Sequence, residues 1–242
     1  MSTATITAIV LRCVNYRDND RMLTLLSPQM GRVEVLSRGC RRPKSPLLCA
    51  SDLFCTGEYV LFSQGERSLL TGCTLKDSFY PLRLDLPRLS CGVYMLNLCE
   101  AAAQPGEESP ELFLLLLKAL HRLSYGAQER RGLISGFLLH YATLLGYKPR
   151  LNHCVHCGKK LTDEEPLAFD CEAGGLVCKT CATKNSLPIT GRQVQWLRTV
   201  IKEGAEASGQ FPGEDAPFES LRCFVETRLE KPIKSSLMLD IS

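Results

Sequence analysis

The chain has 242 residues, 45% hydrophobic and 23% charged, with a formal net charge of +3. That usage is ordinary for a globular protein and excludes both a disordered chain and a polycation. Any surface for nucleic acid must therefore come from local clustering of cations, because bulk charge does not supply it.

The start, "MSTATITAIVLRC", has no basic leader region, and Arg12 ends its short apolar run, so no signal peptide is read there. The longest apolar stretch, "LFLLLLKAL" from Leu112 to Leu120, is broken by Lys118 and is too short to span a bilayer. A soluble, cytoplasmic protein is expected.

The first eighty residues read as β-structure. Ile6 to Val14 is a nearly continuous apolar run, and Arg21 to Leu26 follows the polar turn "YRDND". Gly31 to Ser37 alternates cleanly, with Val33 and Val35 on one face and Arg32 and Glu34 on the other. Gly57 to Ser63 and Ser68 to Leu75 flank the turn "SQGER". Five short strands with no comparable helix among them predict a small barrel or sandwich. Gly72 inside the last strand suits a bulge or a barrel corner.

After the third strand comes "LSRGCRRPKS", which places Arg38, Arg41, Arg42 and Lys44 within seven positions. A solvated loop is the plain reading of such a run. Two features favour a nucleic-acid contact. The cluster follows a barrel strand, where oligonucleotide-binding barrels present their loops. Arginine forks also meet phosphate oxygens two at a time. Tyr16, Tyr59 and Phe62 are candidate platforms for base stacking, although aromatics at strand spacing more often sit in the core.

From about Pro81 the period becomes helical. "DLPRLSCGVYMLNLCEAAA" carries Leu89, Val93, Leu96 and Ala103 at three-to-four spacing. "SPELFLLLLKALHRL" opens with a Ser cap, a Pro at the first helical position and a Glu behind it. "ERRGLISGFLLHYATLLGYKP" lines up Leu133, Ile134, Phe137, Leu138, Tyr141, Leu144 and Leu145 before Gly146 and Pro149 end it. Helical patterns resume after a cysteine-rich insert. In the first of them, Thr190 and Gln193 stand at capping-box spacing. The last carries Phe218, Leu221, Phe224, Val225 and Leu229.

The insert, Leu151 to Ser186, holds Cys154-x2-Cys157 and Cys178-x2-Cys181, twenty residues apart. Each CxxC can form a knuckle that points two thiolates at one ion, and two knuckles complete a tetrahedron. Gly158 lets the first knuckle close, and Lys159, Lys160 and Lys179 offset the negative charge of four thiolates around one Zn²⁺. A redox CxxC would be a single pair at a helix start in a βαβ setting. A zinc deaminase would need an H-x-E motif upstream of P-C-x-x-C. Neither pattern is present, and four thiolates leave no open position, so the expected ion is one structural Zn²⁺. His153 and His156 are alternative ligands, and Cys171 is a bystander. The remaining nine of thirteen cysteines read as free thiols packed as small hydrophobes in a reducing compartment. His121 and His140 lie in helix patterns without a nucleophile or carboxylate partner, so no bond chemistry is expected.

Taken together, these features resemble the RecO family of bacterial recombination mediators. The resemblance begins at "IVLRCVNYRDNDRMLTLLSPQMGRVEVLSRGCRRPKS" and continues through "FYPLRLDLPRLSCGVYMLNLCEAA", "LFLLLLKALHRL" and "GFLLHYATLLGYKP". It ends in "CVHCGKK" to "FDCEAGGLVCKTC", so that it covers roughly residues 4 to 230. Two departures are the "YRDND" turn, where the family often has Glu after the Tyr, and Cys171, where a small polar residue is commoner. The resemblance implies an α+β multidomain protein. An oligonucleotide-binding (OB-fold) β-barrel over residues 1–80 precedes an α-helical domain over 81–150 and 187–242, which carries an inserted four-cysteine zinc finger at 151–186. It further implies DNA repair by binding single- and double-stranded DNA and annealing complementary strands. Cooperation with RecR, indirect help to RecA and docking of the single-strand-binding protein's C-terminal tail are also implied, in a cytoplasmic, nucleoid-associated setting. The turn Arg38 to Lys44, with Arg17 and Arg32, is expected to track the phosphate backbone. The rival readings are a zinc-ribbon transcription or RNA-binding factor and a zinc hydrolase with an open metal site.

Overall fold

The structure is a computed structural model that describes residues 2–65, 67–127, 129–162, 166–229, 233, 235–236 and 239, the side chains of Gln64 and Arg67 aside. Alternating and β-branched residues in the first part of the chain form β1 (Ser2–Tyr16), β2 (Asp20–Ser27), β3 (Gly31–Ser37), β4 (Thr56–Gln64) and β5 (Arg67–Asp77). These strands close into a barrel in the order β1-β2-β3-β5-β4. Closure depends on the length of β1. Its first half pairs antiparallel with β4 (Ser2 opposite Ser63), and its second half pairs with β2 (Tyr16 opposite Asp20). A register shift between Val10 and Arg12 re-aims the strand from one partner toward the other. The last seam is a short parallel contact of β3 with β5 at Leu36 and Leu69. A second shift, at Val60/Leu61, leaves Thr71 unpaired beside Gly72 in β5.

Ala8, Val10, Leu23, Leu25, Val35, Tyr59, Leu61 and Leu70 fill the barrel. Strand alternation turns Ile9, Leu11 and Leu26 to the outer face, yet these are buried too. Their cover is α1 (Leu86–Ala102) and α2 (Pro110–Tyr125), which pack on β1 and β2. Asp85 caps α1 by accepting a hydrogen bond from the Arg88 N–H at 2.9 Å, and Pro87 lies in its first turn. Tyr59 is fully buried and donates its hydroxyl to the carbonyls of Ala50 and Cys55, so it is a core residue and no stacking platform.

The chain divides into two compact units, one of Met1–Tyr125 with Ser235–Leu239 and one over Gly126–Lys234. Residue 80 marks the change from strand to helix period, but the first compact unit runs on to the end of α2 because those helices cover the barrel.

The second unit contains α3 (Arg130–Leu144), β6 (Leu167–Asp170), β7 (Gly175–Cys178), β8 (Leu187–Ile189), α4 (Gly191–Glu203) and α5 (Phe218–Glu226). α3 is its centre. Beyond the apolar stripe, Gly132, Ser135, Gly136 and Ala142 are also buried, because α4, α5 and two short 3-10 turns pack around it. The capping box of α4 forms as spaced, with Thr190 and Gln193 each accepting the other's backbone N–H. Trp196 and Leu197 are then turned fully inward. The three-stranded antiparallel sheet, in the order β7-β6-β8, is not foreseen by the sequence pattern, since strands of three or four residues are too short to show alternation. Among the described residues, no helix is long and apolar enough to cross a membrane.

Candidate metal centre and nucleic-acid interface

The β6–β7 hairpin brings the two CxxC pairs together. Cys178 is the last residue of β7, opposite Leu167, so the second knuckle hangs from the hairpin's end. The first knuckle runs along the other edge of β7. There the Arg150 carbonyl accepts the Leu176 N–H at 2.9 Å, and the Leu176 carbonyl accepts the Val155 N–H at 3.0 Å. Val155 lies between Cys154 and Cys157, so these bonds set one knuckle in register with the other. Both knuckles are tight turns. Gly158 N–H donates to the Cys154 carbonyl, and the N–H groups of Cys181 and Ala182 donate to that of Cys178, each at 3.0 Å.

The sulfurs of Cys154, Cys157, Cys178 and Cys181 all lie within 4.8 Å of one another, and those of Cys157 and Cys178 are 3.8 Å apart. A tetrahedron with Zn–S bonds of about 2.3 Å has S···S edges of about 3.8 Å, so the sulfurs fit a tetrahedral ion. Protonation within the group is uneven. Burial pushes the Cys154 thiol up, but N–H groups of Cys157, Cys178 and His156 outweigh it and bring the thiol down to about 6. The Thr180 hydroxyl, 3.1 Å away, lowers Cys178. Cys181 is pushed up to about 12, first by Cys178 and then by Cys157. Negative charge thus accumulates on some sulfurs at the expense of others until a cation balances it.

No histidine or carboxylate joins this group among the described residues. His156, between the first two cysteines, is turned to Asp170, with Nε2 to Oδ2 at 2.9 Å. That pair helps hold Asp170 below the usual carboxylate range, where the Ala173 N–H acts most strongly. His153 makes a backbone bridge to Lys160. Cys171 is buried outside the group, its sulfur 3.8 Å from the Ser220 carbonyl. Lys159, Lys160 and Lys179 are exposed beside the knuckles. The four cysteines can hold one metal ion, and four thiolates saturate a tetrahedron and leave no place for a reactive water.

The basic turn in the first unit is pinned from beneath. Cys40 is 1% exposed and belongs to the barrel core, while Arg38, Arg41, Arg42 and Lys44 on either side of it are exposed. Gly39 has φ +63°, a left-handed conformation suited to glycine, and its N–H donates to Asp20 Oδ1 at 2.8 Å. Arg41 ties the turn to the β1–β2 connection, its N–H donating to the Asn19 carbonyl at 3.1 Å and Nη1 to that of Asp18 at 3.0 Å. Arg17, which lies in that connection, is therefore brought beside the cluster, with its guanidinium 5.3 Å from the exposed Tyr16 ring. Among the described residues, none of these five cations is in an ion pair with a carboxylate. Asp18 and Asp20 are the acidic neighbours, and they leave a positive excess.

Arg32 is not part of this cluster. It lies at the start of β3, about 17 Å of strand away from Ser37, and is engaged by the end of α1, with Nη1 to the Glu100 carbonyl at 3.4 Å and N–H to that of Gln104 at 3.1 Å. Phe62 is half-buried. Sequence reading does not find the Cys40 anchor, the Arg41–Asp18 bond or the His156–Asp170 pair, because each joins residues whose neighbourhood only folding creates.

Family models match almost the whole chain, "Recombination protein O N terminal" over residues 1–79 and "Recombination protein O C terminal" over residues 83–237. A DNA repair protein RecO of Desulforamulus reducens is 30% identical over 240 residues, covering 96% of this chain and 92% of its own. That of Desulfitobacterium hafniense is 33% identical over 187 residues, 77% of this chain and 67% of its own. That of Acetivibrio thermocellus is 27% identical over 230 residues, 92% and 90% respectively. With both halves matched and such coverage by relatives, the chain belongs to the RecO family of DNA repair proteins.

Proposed function

We propose that this protein is a DNA repair and recombination mediator that acts by binding and performs no bond chemistry. Its barrel, read as an OB-fold from the strand order, holds single- and double-stranded DNA by their phosphates on the loop Arg38 to Lys44, joined by Arg17. Neutralising phosphates lowers the repulsion between two strands, so a molecule holding both anneals them faster. Such contacts ignore sequence, as repair at arbitrary gaps and breaks requires. Together with RecR it helps to load RecA onto DNA coated by single-strand-binding protein, whose C-terminal tail it docks. The ion is one structural Zn²⁺ that stiffens the module around Cys154, Cys157, Cys178 and Cys181 and takes no part in bond cleavage. Arg32 meets a strand only once that strand has run the length of β3.

The observation that carries this reading is the exposed cluster of Arg38, Arg41, Arg42 and Lys44, which among the described residues is in no ion pair with a carboxylate and is held outward by the buried Cys40. The test is salt-titrated binding of a fluorescent single strand. Roughly four phosphate contacts give a log–log slope near −3 for a single strand. Alanine at Arg38, Arg42 and Lys44 together, leaving Arg41 to tie the turn, is expected to weaken binding and to remove about 2 from that slope. Unchanged affinity and slope would take the loop out of the mechanism.

A further inference from the structure

Cys171 lies outside the metal group, yet it is held in place more firmly than a packing thiol requires. Its sulfur is 3.8 Å from the Ser220 carbonyl. Its own carbonyl accepts from Arg228 Nη1 at 2.8 Å and Thr227 Oγ1 at 3.5 Å. The Arg228 guanidinium lies 3.8 Å from the Phe224 ring, and Phe224 meets Phe169 of β6 edge-on at 5.6 Å. Ser220, Cys223 and Thr227 follow one another at three- and four-residue spacing, so they share one face of α5. Cys171 rests on that face, its sulfur against the Ser220 carbonyl one turn before Cys223. Both thiols line a cavity of about 530 Å³ shared with His156, Asp170, Lys184 and Thr227. Cys171 is buried, whereas Cys223 is half-buried.

We propose that Cys171 and Cys223 are a reactive dithiol, separate from the metal centre, that hydrogen peroxide entering this cavity converts to a disulfide stapling the end of β6 to α5. Cys223, the more accessible sulfur, attacks the peroxide as thiolate and breaks the O–O bond. Cys223 sulfenic acid forms, and the departing hydroxide takes a proton to leave as water. The Cys171 sulfur then attacks the sulfenic sulfur, forming the S–S bond and breaking the S–O bond. Its proton leaves with that oxygen as a second water. Two thiols are oxidised and one peroxide is reduced. The four ligand thiolates are shielded meanwhile by their ion.

The test uses the metal-loaded full chain and equimolar hydrogen peroxide. Remaining thiols are trapped with N-ethylmaleimide, and the protein is digested with trypsin without reductant. The expected product joins peptide Cys223–Arg228 to peptide Leu161–Lys179 carrying one maleimide on Cys178, two hydrogens lighter than that pair, with fragments placing the link at Cys171 and not Cys178. It disappears on reduction and is absent from C171S and C223S. Metal release, read with a chelating dye, stays at the untreated level. Since Cys171 is buried and its replacement can disturb folding, the half-buried Cys223→Ser gives an independent control. Recovery of Cys223 as its maleimide adduct alone, a link to Cys178, or a link that appears only in step with metal release would each overturn the proposal.

Discussion

At the scale of single residues, the side chains that decide the site are those that hide. Cys40 hardly meets solvent, yet by entering the barrel core it leaves the arginines on either side only one way to point. Arg41 then has two duties, because one of its N–H groups is committed to the Asp18 carbonyl while the rest of its fork faces outward. Gly31 illustrates a different constraint. With φ +61° it lies in the left-handed region, and a Cβ there would come within 2.2 Å of the Gln104 carbonyl oxygen and 2.4 Å of that of Glu107. The Gly31→Ala variant therefore suffers from backbone conformation and clash together. It is expected to lose at least about 2 kcal/mol of stability, read as a lower urea midpoint with an unchanged slope.

Among the elements, the β6–β7 hairpin shows how secondary structure can organise a ligand sphere. Its ladder and the two bonds linking Leu176 to Arg150 and Val155 hold two knuckles in register, which loops alone would leave to the ion. α3 presents a different problem, since it is surrounded and must find a place for a titratable ring. His140 is half-buried, and its Nε2 lies 3.2 Å from the Val200 carbonyl of α4. Burial lowers its pKa, an effect that the Val200 hydrogen bond only partly offsets. With a folded-state pKa below the unfolded value of 6.5, the native state binds fewer protons than the unfolded chain. The stabilisation is complete above 6.5 and is lost as pH falls through that value toward the depressed one. Thermal melts between about pH 7.5 and 5.5 are expected to show a larger drop in Tm for the native sequence than for His140→Gln, which has no ring to protonate.

For the molecule as a whole, a net charge of +3 is too small to make a nucleic-acid surface a bulk property, so the proposed function rests on the cations concentrated where the backbone turns. The chain folds as two compact units, each with its own apolar interior, and the metal cysteines belong to the second. Removing the ion is therefore a local event first. A strong chelator is expected to raise amide exchange across residues 151–162 and 166–182, where the knuckles and hairpin lie, while β1–β5 keep their protection. Cys154→Ser should reproduce that pattern without chelator. Simultaneous loss of protection in the barrel strands would show instead that the ion supports the entire chain.

The sequence by itself carried the barrel strands, the principal helices, the α4 capping box and the spacing of the four cysteines. All of these are local: alternation, a 3.6-residue period, a cap three residues from its partner, two CxxC pairs. Tertiary structure alone decided that α1 and α2 cover the outer face of β1 and β2, that Tyr59 is core, and that the basic turn is tied through Arg41 to Asp18 and Asn19 while Arg32 is engaged at the end of α1. It likewise turned His156 to Asp170 and set Cys171 on α5. Each of these depends on which distant surfaces meet, and a one-dimensional pattern shows that a face must be covered without saying which other face covers it.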